Sequence, residues 1–241
     1  DVPHLVFLAF GLARATLSRV ASPCAMPEGL CVNKCVSYRQ SHLSKGRDYH
    51  EIFFSCPHTK VLWHLEQRVL NRIFATHFPN RLPRHLDFAC GTGRILQHLQ
   101  GRTAVSVGVD VSSAMLAVAK ETAPAADLRH EDITTGGSSV TQESFDLITA
   151  FRFFPNAEPQ LRDEAMAALA PLLTSEGVMV FNNHLNHTSL MRSLGRRLGR
   201  FRATTMTHDE AVELAHRHGL RVATTWSLGA LPLNDKLLFL P

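Results

Sequence analysis

The sequence of 241 residues has the length of one α/β domain with an extension, and its 45% hydrophobic residues can bury an ample core. The formal net charge of +4 is spread along the chain, so it permits an anionic partner without requiring one. Five cysteines form an odd set, which argues against a disulfide framework and favours a reducing, cytoplasmic location.

Residues 1–44 are predicted to be an N-terminal extension. Residues 2–13 are apolar but reach only about half the ~20 residues of a membrane span, so we expect a poorly ordered or packing-only helix and no span. No acidic residue occurs between positions 2 and 27, which leaves a cleaved import segment as the alternative. The cysteines at 24, 31, 35 and 56 lack paired C-x2-C spacing, so no metal site is predicted.

Residues 45–83 show helical periodicity on either side of Pro57. This pattern predicts two helices lying over the mouth of the domain that follows, as a helical cap. The domain itself is predicted to cover residues 84–241.

The stretch from 86 to 99 combines a strand, a glycine turn and a helix. An apolar run ends at Gly91 and Gly93, and Ile95, Leu96 and Leu99 follow at helical spacing. Glycines let a ligand lie against the backbone, and the start of a helix presents unpaired N–H groups. The pattern therefore predicts a site for a nucleotide-like ligand.

The residues around this turn indicate which ligand fits. A dinucleotide fingerprint needs a third glycine where Leu96 stands, and no Gly-Lys-Ser/Thr of a phosphate loop follows. The carboxylate of Asp87 would repel a pyrophosphate but attract an ammonium group. S-adenosylmethionine has an ammonium group, a cationic sulfur and no phosphate.

A second acidic residue ends the next predicted strand. Asp110 comes 23 residues after Asp87, and Ser112 and Ser113 can cap a following helix. An acid at this strand tip can accept both ribose hydroxyls, although a plain helix cap is the alternative.

Residues 86–94 resemble motif I of the class I S-adenosylmethionine-dependent methyltransferases, with Ala89 in place of the more usual first glycine, and residues 109–116 resemble the second motif. The resemblance implies ribose binding by Asp110, adenine contacts from Met115, Asp132 and Ile133, and an aromatic ring from Tyr49 near the cofactor. Alternatives are a turn aspartate at 132 and an ordinary core tyrosine at 49. The implied cofactor site consists of Tyr49, Asp87, Ala89, Gly91, Gly93, Asp110, Val111, Met115, Asp132, Ile133 and Phe151.

Residues 145–151 resemble the family's fourth strand, whose outgoing loop opens toward the methyl group. The Asn-Pro-Pro-Tyr type motif of nucleobase and amide methylases is absent there, as is a Pro-Cys nucleophile, so nucleobase methylation is disfavoured. The expected acceptor contacts are Arg152, Phe154, Asn183 and His184. His184 is also the tentative base, because imidazole titrates near neutrality, with a surface hydrogen-bonding role as the alternative.

Residues 190–202 place five arginines around an apolar helical face. The segment is predicted to be a solvated cationic surface, or else a dock for RNA, an acidic carrier protein or a phosphate-bearing substrate. Residues 220–227 and 236–240 are predicted to be the last two strands, which in the family form an antiparallel hairpin.

Together these features predict a doubly wound α/β fold with a seven-stranded, mostly parallel sheet. The expected function is methyl transfer from S-adenosylmethionine to an oxygen or nitrogen of a small molecule, with nucleic acid disfavoured as partner. The alternatives are an RNA methyltransferase and a non-catalytic partner subunit with the same fold. Tyr49, Phe151, Phe153 and Phe154 are expected to form an apolar pocket around the methyl group.

Overall fold

The computed structural model describes residues 3–10, 38–43, 46–183 and 206–228. Its strands are β1 (His4–Phe10), β2 (Arg84–Phe88), β3 (Val105–Asp110), β4 (Asp127–His130), β5 (Phe145–Ala150), β6 (Leu173–Asn183) and β7 (Arg221–Leu228). Its helices are α1 (Tyr38–His42), α2 (Arg47–Ser55), α3 (Pro57–His77), α4 (Arg94–Leu99), α5 (Ser113–Thr122), α6 (Pro159–Leu169) and α7 (His208–Arg217).

Strands β2 to β6 form a parallel, doubly wound sheet in the order β4-β3-β2-β5-β6. The chain moves outward from β2 to β4 and then returns to the other side of β2 with β5. Such a reversal leaves a crevice at the carboxyl ends of the two central strands, where open α/β sheets bind ligands. Asp87 pairs with Gly108 of β3 and with Thr149 of β5, so it lies at this reversal. The predicted Rossmann-like α/β core is confirmed.

Strands β1 and β7 extend the sheet beyond β6, and both pairings of β1 are parallel. The expected N-terminal packing helix is therefore wrong for His4–Phe10. An uninterrupted apolar run suits an interior parallel strand, which is covered on both faces, as well as it suits a short helix. The first strand of the predicted antiparallel hairpin corresponds to β7, which runs parallel to β1; the other predicted strand, 236–240, lies outside the described residues, so the hairpin stays a prediction.

Helix α3 packs against one face of the sheet. Its buried residues Leu70, Ile73 and Phe74 belong to the same apolar cluster as Leu147 of β5 and Val180 of β6. The prediction that both N-terminal helices lie over the mouth is thus wrong for α3. Its apolar face is broad enough to cover the sheet, whereas a helix over the mouth would leave that sheet face exposed.

Helices α6 and α7 cover the opposite face. Met166 of α6 and Leu214 of α7 share a buried cluster with Ile148, Met179 and Phe181 of the sheet. Alternate residues of β5 and β6 therefore belong to the two clusters, as the pleat requires. The sheet between two layers of helices holds the carboxyl edge in place.

The turn from β2 into α4 has an unusual backbone. Ala89, Gly91 and Gly93 all have positive φ, at 52°, 55° and 78°. A Cβ on Gly93 would also lie 3.1 Å from the Cβ of Ala119, so this glycine lets α4 pack closely on α5. Ala89 adopts the left-handed region with a Cβ, which costs about 1–2 kcal/mol. The strain explains why glycine is the more usual residue at this position.

We predict that Ala89→Gly leaves the free energy of unfolding unchanged or raises it by up to about 1 kcal/mol, because relief of the strain opposes the greater freedom of glycine in the unfolded chain. The matched control is Ala117→Gly on the exposed side of α5, where glycine should lower stability by about 1 kcal/mol. Urea denaturation measures both changes. Equal losses in the two variants would contradict a strained Ala89.

Candidate active site

Two carboxylates lie at the carboxyl edge of the sheet, on the neighbouring strands β2 and β3. Asp87 is 1% exposed and Asp110 is 8% exposed. Oδ2 of Asp110 accepts the N–H of Gly91 at 2.8 Å, and its Oδ1 accepts the N–H of Ser112 at 2.8 Å. The glycine turn and the start of α5 thereby hold Asp110 beside the turn that follows Asp87.

A chain of hydrogen bonds within the sheet fixes Asp87. The hydroxyl of Thr149 donates to Oδ1 of Asp87 at 2.6 Å. Nε2 of His85 lies 2.8 Å from the same hydroxyl oxygen, and its Nδ1 lies 3.3 Å from the hydroxyl oxygen of Ser106. Because Thr149 has one hydroxyl proton, His85 must donate from Nε2 and accept from Ser106 at Nδ1 when Asp87 is ionised.

Burial sets the protonation of this chain. It raises the pKa of Asp87 to about 7, against the opposing effects of the Thr149 hydrogen bond and the Arg94 charge, and the Asp110 carboxylate raises it further. Burial lowers the pKa of His85 to about 3, so this imidazole is neutral at physiological pH. Burial also raises the pKa of Asp110, while hydrogen bonds from the Ser112 and Gly91 N–H groups lower it.

The second oxygen of Asp87 identifies the group that fits here. Oδ2 of Asp87 is buried and has no hydrogen-bond partner among the residues that the structure describes. A buried carboxylate oxygen without a donor is costly, and a cationic N–H donor removes that cost. The ammonium group of S-adenosylmethionine meets this need, whereas a phosphate would add a third negative charge beside two carboxylates. The residues present therefore fit S-adenosylmethionine.

The predicted adenine contacts lie beside Asp110. The N–H of Glu131 donates to the carbonyl of Asp110 at 3.3 Å, which ties the loop after β4 to the end of β3. Asp132 follows directly, and Ile133 and Met115 are 2% and 3% exposed. The remaining predicted backbone position, Val111, accepts a hydrogen bond from the His130 ring at 2.9 Å. The loop after β4 thus lies beside Asp110, and Ile133 belongs to the same buried cluster as Phe88 and Val109.

Helix α1, which the sequence analysis did not single out, reaches this edge. Nε of Arg39 forms an ion pair with Oδ2 of Asp132 at 2.8 Å, and its guanidinium also donates to the Thr134 hydroxyl. Oδ1 of Asp132 accepts the N–H of Thr134 at 3.0 Å. Asp132 therefore already has partners on both oxygens. No sequence signal places Arg39 here, because more than ninety residues separate it from Asp132.

Tyr38 lies over the same edge. Its hydroxyl donates to the carbonyl of Arg152 at 3.2 Å, and its ring meets Phe153 edge-on with centroids 5.4 Å apart. Burial raises the pKa of Tyr38 well above its usual value, and the nearby Tyr49 and Asp110 add to that increase. Tyr49 lies near enough to Tyr38 to affect this pKa, and its contact with the cofactor stays a prediction.

The start of α2 contacts the glycine turn. Nδ1 of His50 lies 3.1 Å from the hydroxyl oxygen of Thr92, between Gly91 and Gly93. The hydroxyl of Ser112 donates to the carbonyl of Leu43 at 3.2 Å. Helix α2 and the segment before it therefore contact the glycine turn and the start of α5, respectively.

The predicted acceptor contacts occupy different places. Arg152 follows β5 and is half-buried at the edge. Phe154 is fully buried and packs against Phe181, at a centroid distance of 4.7 Å. Asn183 is also fully buried, and its side-chain amide donates to the carbonyl of Met206 at 2.8 Å. Phe154 and Asn183 therefore contribute to the core, whereas His184 and the arginines of 190–202 lie outside the described residues.

A buried polar network lies beneath Arg152. Nη1 of Arg94 donates to Oε2 of Glu66 at 2.7 Å, and Nδ2 of Asn182 donates to Oε1 of Glu66 at 2.7 Å. Oδ1 of Asn182 accepts the backbone N–H of Arg152 at 2.6 Å. The sequence carries one signal for this network, a glutamate within the apolar face of α3. Removing one partner of such a buried pair costs about 3–5 kcal/mol.

Phe151 completes the surroundings of this network. It is 6% exposed, and its ring centroid lies 5.5 Å from the guanidinium carbon of Arg94. Phe153 is 5% exposed and contacts Phe88 of β2 at a centroid distance of 4.6 Å. Of the four aromatic residues expected near the methyl group, Phe151 and Phe153 thus lie in the loop after β5 and contact Arg94 and Phe88, whereas Phe154 lies in the core.

Within residues 3–10, 38–43, 46–183 and 206–228, no helix is long and apolar enough to cross a membrane. The same residues contain no group of three or more histidine, cysteine or acidic side chains that could hold a metal ion.

Comparisons with known proteins agree with this geometry. The profile of a family described as "Methyltransferase domain" matches residues 86–177, from β2 to the middle of β6. A curated relative, dTDP-3-amino-3,6-dideoxy-alpha-D-glucopyranose N,N-dimethyltransferase of Streptomyces fradiae, is 33% identical over 96 residues. That match covers 40% of this chain and 32% of the relative, so the chain spans about a third of the relative's length.

Solved structures show the same fold. Magnesium protoporphyrin IX methyltransferase from Synechocystis PCC 6803 with bound S-adenosylhomocysteine matches with a TM-score of 0.56 at 15% identity, over 75% of this chain and 86% of that one. The same enzyme with S-adenosylmethionine matches with a TM-score of 0.54 at 14% identity, over 75% and 83% of the two chains. Residues 86–177 therefore match a methyltransferase-domain family model, and the chain shares the Rossmann-like fold of these solved methyltransferases.

Proposed function

We propose that this protein transfers a methyl group from S-adenosylmethionine to an oxygen or nitrogen of a small-molecule acceptor. The observation that carries the proposal is the unpartnered buried Oδ2 of Asp87, next to the glycine turn and Asp110. The curated relative supports a small acceptor, because its name describes methylation of an amino sugar nucleotide.

Each part of the edge would hold one part of the cofactor. Oδ2 of Asp87 would accept a hydrogen bond from the ammonium group. The Asp110 carboxylate would accept hydrogen bonds from the ribose hydroxyls, because the N–H groups of Gly91 and Ser112 occupy only part of its lone pairs. Ile133 and Met115 would contact the adenine. Ala89, Gly91 and Gly93 would bring their backbone against the ligand, and Val111, Asp132, Tyr49 and Phe151 would line the remaining surface.

S-adenosylmethionine supplies an electrophilic methyl carbon on a cationic sulfur. Phe151 and Phe153 offer apolar surface beside it, which would keep water out and leave the charged reactant poorly solvated. Alignment of the acceptor with the methyl group would provide most of the rate enhancement. A base would be needed only if the acceptor must lose a proton, and His184 remains the proposed group for that role.

Helix α1 and the start of α2 would serve as the cap over the cofactor. Tyr38 and Arg39 bridge from Arg152 to Asp132, on opposite sides of the crevice. The ion pair between Arg39 and Asp132 would have to shift if the adenine amino group uses the Asp132 carboxylate. The cap would thus close on the cofactor by exchanging one partner of Asp132 for another.

Transfer of a radiolabelled methyl group from S-adenosylmethionine to amino sugars, phenols and small amines tests the proposal. The expected result is label in at least one small acceptor, with S-adenosylhomocysteine as co-product. Binding of S-adenosylhomocysteine without transfer to any small acceptor, together with salt-sensitive transfer to RNA, would contradict it.

We predict that Asp110→Asn weakens S-adenosylhomocysteine binding about tenfold to hundredfold, because two hydrogen bonds to a charged acceptor become weaker. Isothermal titration calorimetry gives the affinity. The matched control is Asp127→Asn, since Asp127 is an exposed residue on β4 that pairs with Arg129. Unchanged affinity in Asp110→Asn would rule out the ribose role.

We predict that S-adenosylhomocysteine affinity rises about tenfold per pH unit up to pH 7 and levels off above pH 8, because Asp87, with its pKa at about 7, must lose a proton to accept the ammonium group. Below the pKa, binding should release close to one proton, which calorimetry in buffers of different ionisation enthalpy detects. Asp87→Asn should remove this dependence. A pH-independent affinity in the unmodified protein would contradict the assignment of Asp87.

A further inference from the structure

Arg152 has a strained backbone that several groups hold in place. Its φ is 64°, in the left-handed region that disfavours a residue with a Cβ. Its N–H donates to Asn182 at 2.6 Å, and its carbonyl accepts from the Asn156 amide at 2.6 Å and from the Tyr38 hydroxyl at 3.2 Å. Three side chains from separate parts of the chain thus fix the direction in which this arginine leaves the sheet.

The side chain of Arg152 lacks a counter-charge in the described part of the chain. Its Nε is buried without a hydrogen-bond partner, and the structure shows no carboxylate paired with its guanidinium within residues 3–10, 38–43, 46–183 and 206–228. Arg94 differs, because Glu66 neutralises it at 2.7 Å, but its Nη2 is also buried and unpartnered. Buried cationic N–H groups without acceptors are costly.

The two guanidinium groups meet at one aromatic ring. The guanidinium carbons of Arg152 and Arg94 lie 4.7 Å and 5.0 Å from the ring centroid of Phe53, on helix α2. A ring between or beside two cations stabilises them and excludes water. Unpaired donors at such a ring form a site for a planar anion with an apolar body.

The position of this group relates it to the reaction. Arg152 comes three residues after Thr149, which binds Asp87, and Arg94 begins the helix that follows the glycine turn. The charge of Arg94 is close enough to Asp87 to lower the pKa of that carboxyl group. Both guanidinium groups therefore lie beside the proposed cofactor crevice, and Arg152 belongs to the loop after β5, where the acceptor is expected.

We propose that Arg152, with the unpaired Nη2 of Arg94 and the ring of Phe53, binds a carboxylate carried by the methyl acceptor. This inference rests on the proposed methyltransferase function and restricts its acceptors to small acids. A carboxylate accepts two parallel N–H groups of a guanidinium, which fixes its orientation as well as its position. The carboxylate anchors the acceptor, and the atom that receives the methyl group is a separate one.

The cofactor also carries a carboxylate, so the test separates the two sources. S-adenosylhomocysteine and 5′-methylthioadenosine, which lacks the amino-acid portion, are titrated into the unmodified protein and into Arg152→Gln and Arg152→Lys. Benzoate and benzamide are then titrated into each protein saturated with S-adenosylhomocysteine. Arg72→Gln is the matched control, since the guanidinium of Arg72 lies 4.9 Å over the Trp226 ring, away from this site.

We expect benzoate to bind and benzamide to bind at least tenfold more weakly. Arg152→Gln should lower benzoate affinity about tenfold to hundredfold, and Arg152→Lys should restore part of it. Affinity for S-adenosylhomocysteine should change less than twofold in every variant. Circular dichroism and the unchanged cofactor affinity verify that the variants fold.

Two results would overturn the inference. Loss of S-adenosylhomocysteine affinity in Arg152→Gln, with 5′-methylthioadenosine unaffected, would assign the site to the cofactor's carboxylate. Equal or absent binding of benzoate and benzamide would show that no anion site exists. Benzoate binding does not require methyl transfer, so failure of the proposed activity is distinguishable from failure of this site.

Discussion

The hydrogen bond from Thr149 to Asp87 is the interaction on which the site depends. It joins the two central strands at the point where the sheet reverses, and it occupies one oxygen of a carboxylate that is almost completely buried. His85 and Ser106 continue the chain and fix the direction of the proton on Thr149. Oδ2 of Asp87 is therefore left for a ligand, and its burial limits access of water to this oxygen.

Strained residues and buried charges from distant parts of the sequence lie at the same edge of the sheet. Ala89 and Arg152 both adopt positive φ, and they follow the two strands that Thr149 and Asp87 connect. Arg94 and Glu66 place a buried ion pair directly beneath them. Such features lower stability unless the surrounding structure holds them, so their concentration at one edge is typical of a functional site.

The sequence predicts those parts of the fold that depend on local patterns. Asp87, Gly91, Gly93 and Asp110 could be found because strand ends and glycine turns bring them together at fixed spacing. It missed the strand at His4–Phe10, since a short apolar run suits a helix or a buried strand equally well. Tyr38 and Arg39 were missed as well, because their contacts with Arg152 and Asp132 join segments separated by about a hundred residues, which no local pattern records.

The central claim is that Oδ2 of Asp87 receives the ammonium group of the cofactor. The most direct measurement is a crystal structure of the protein with S-adenosylhomocysteine, in which the distance from that oxygen to the amino nitrogen is read at pH 8. The account predicts about 2.7–3.2 Å, with the Thr149 hydrogen bond retained. A separation greater than about 5 Å, or an amino group held by other residues while Oδ2 remains without a donor, would contradict it.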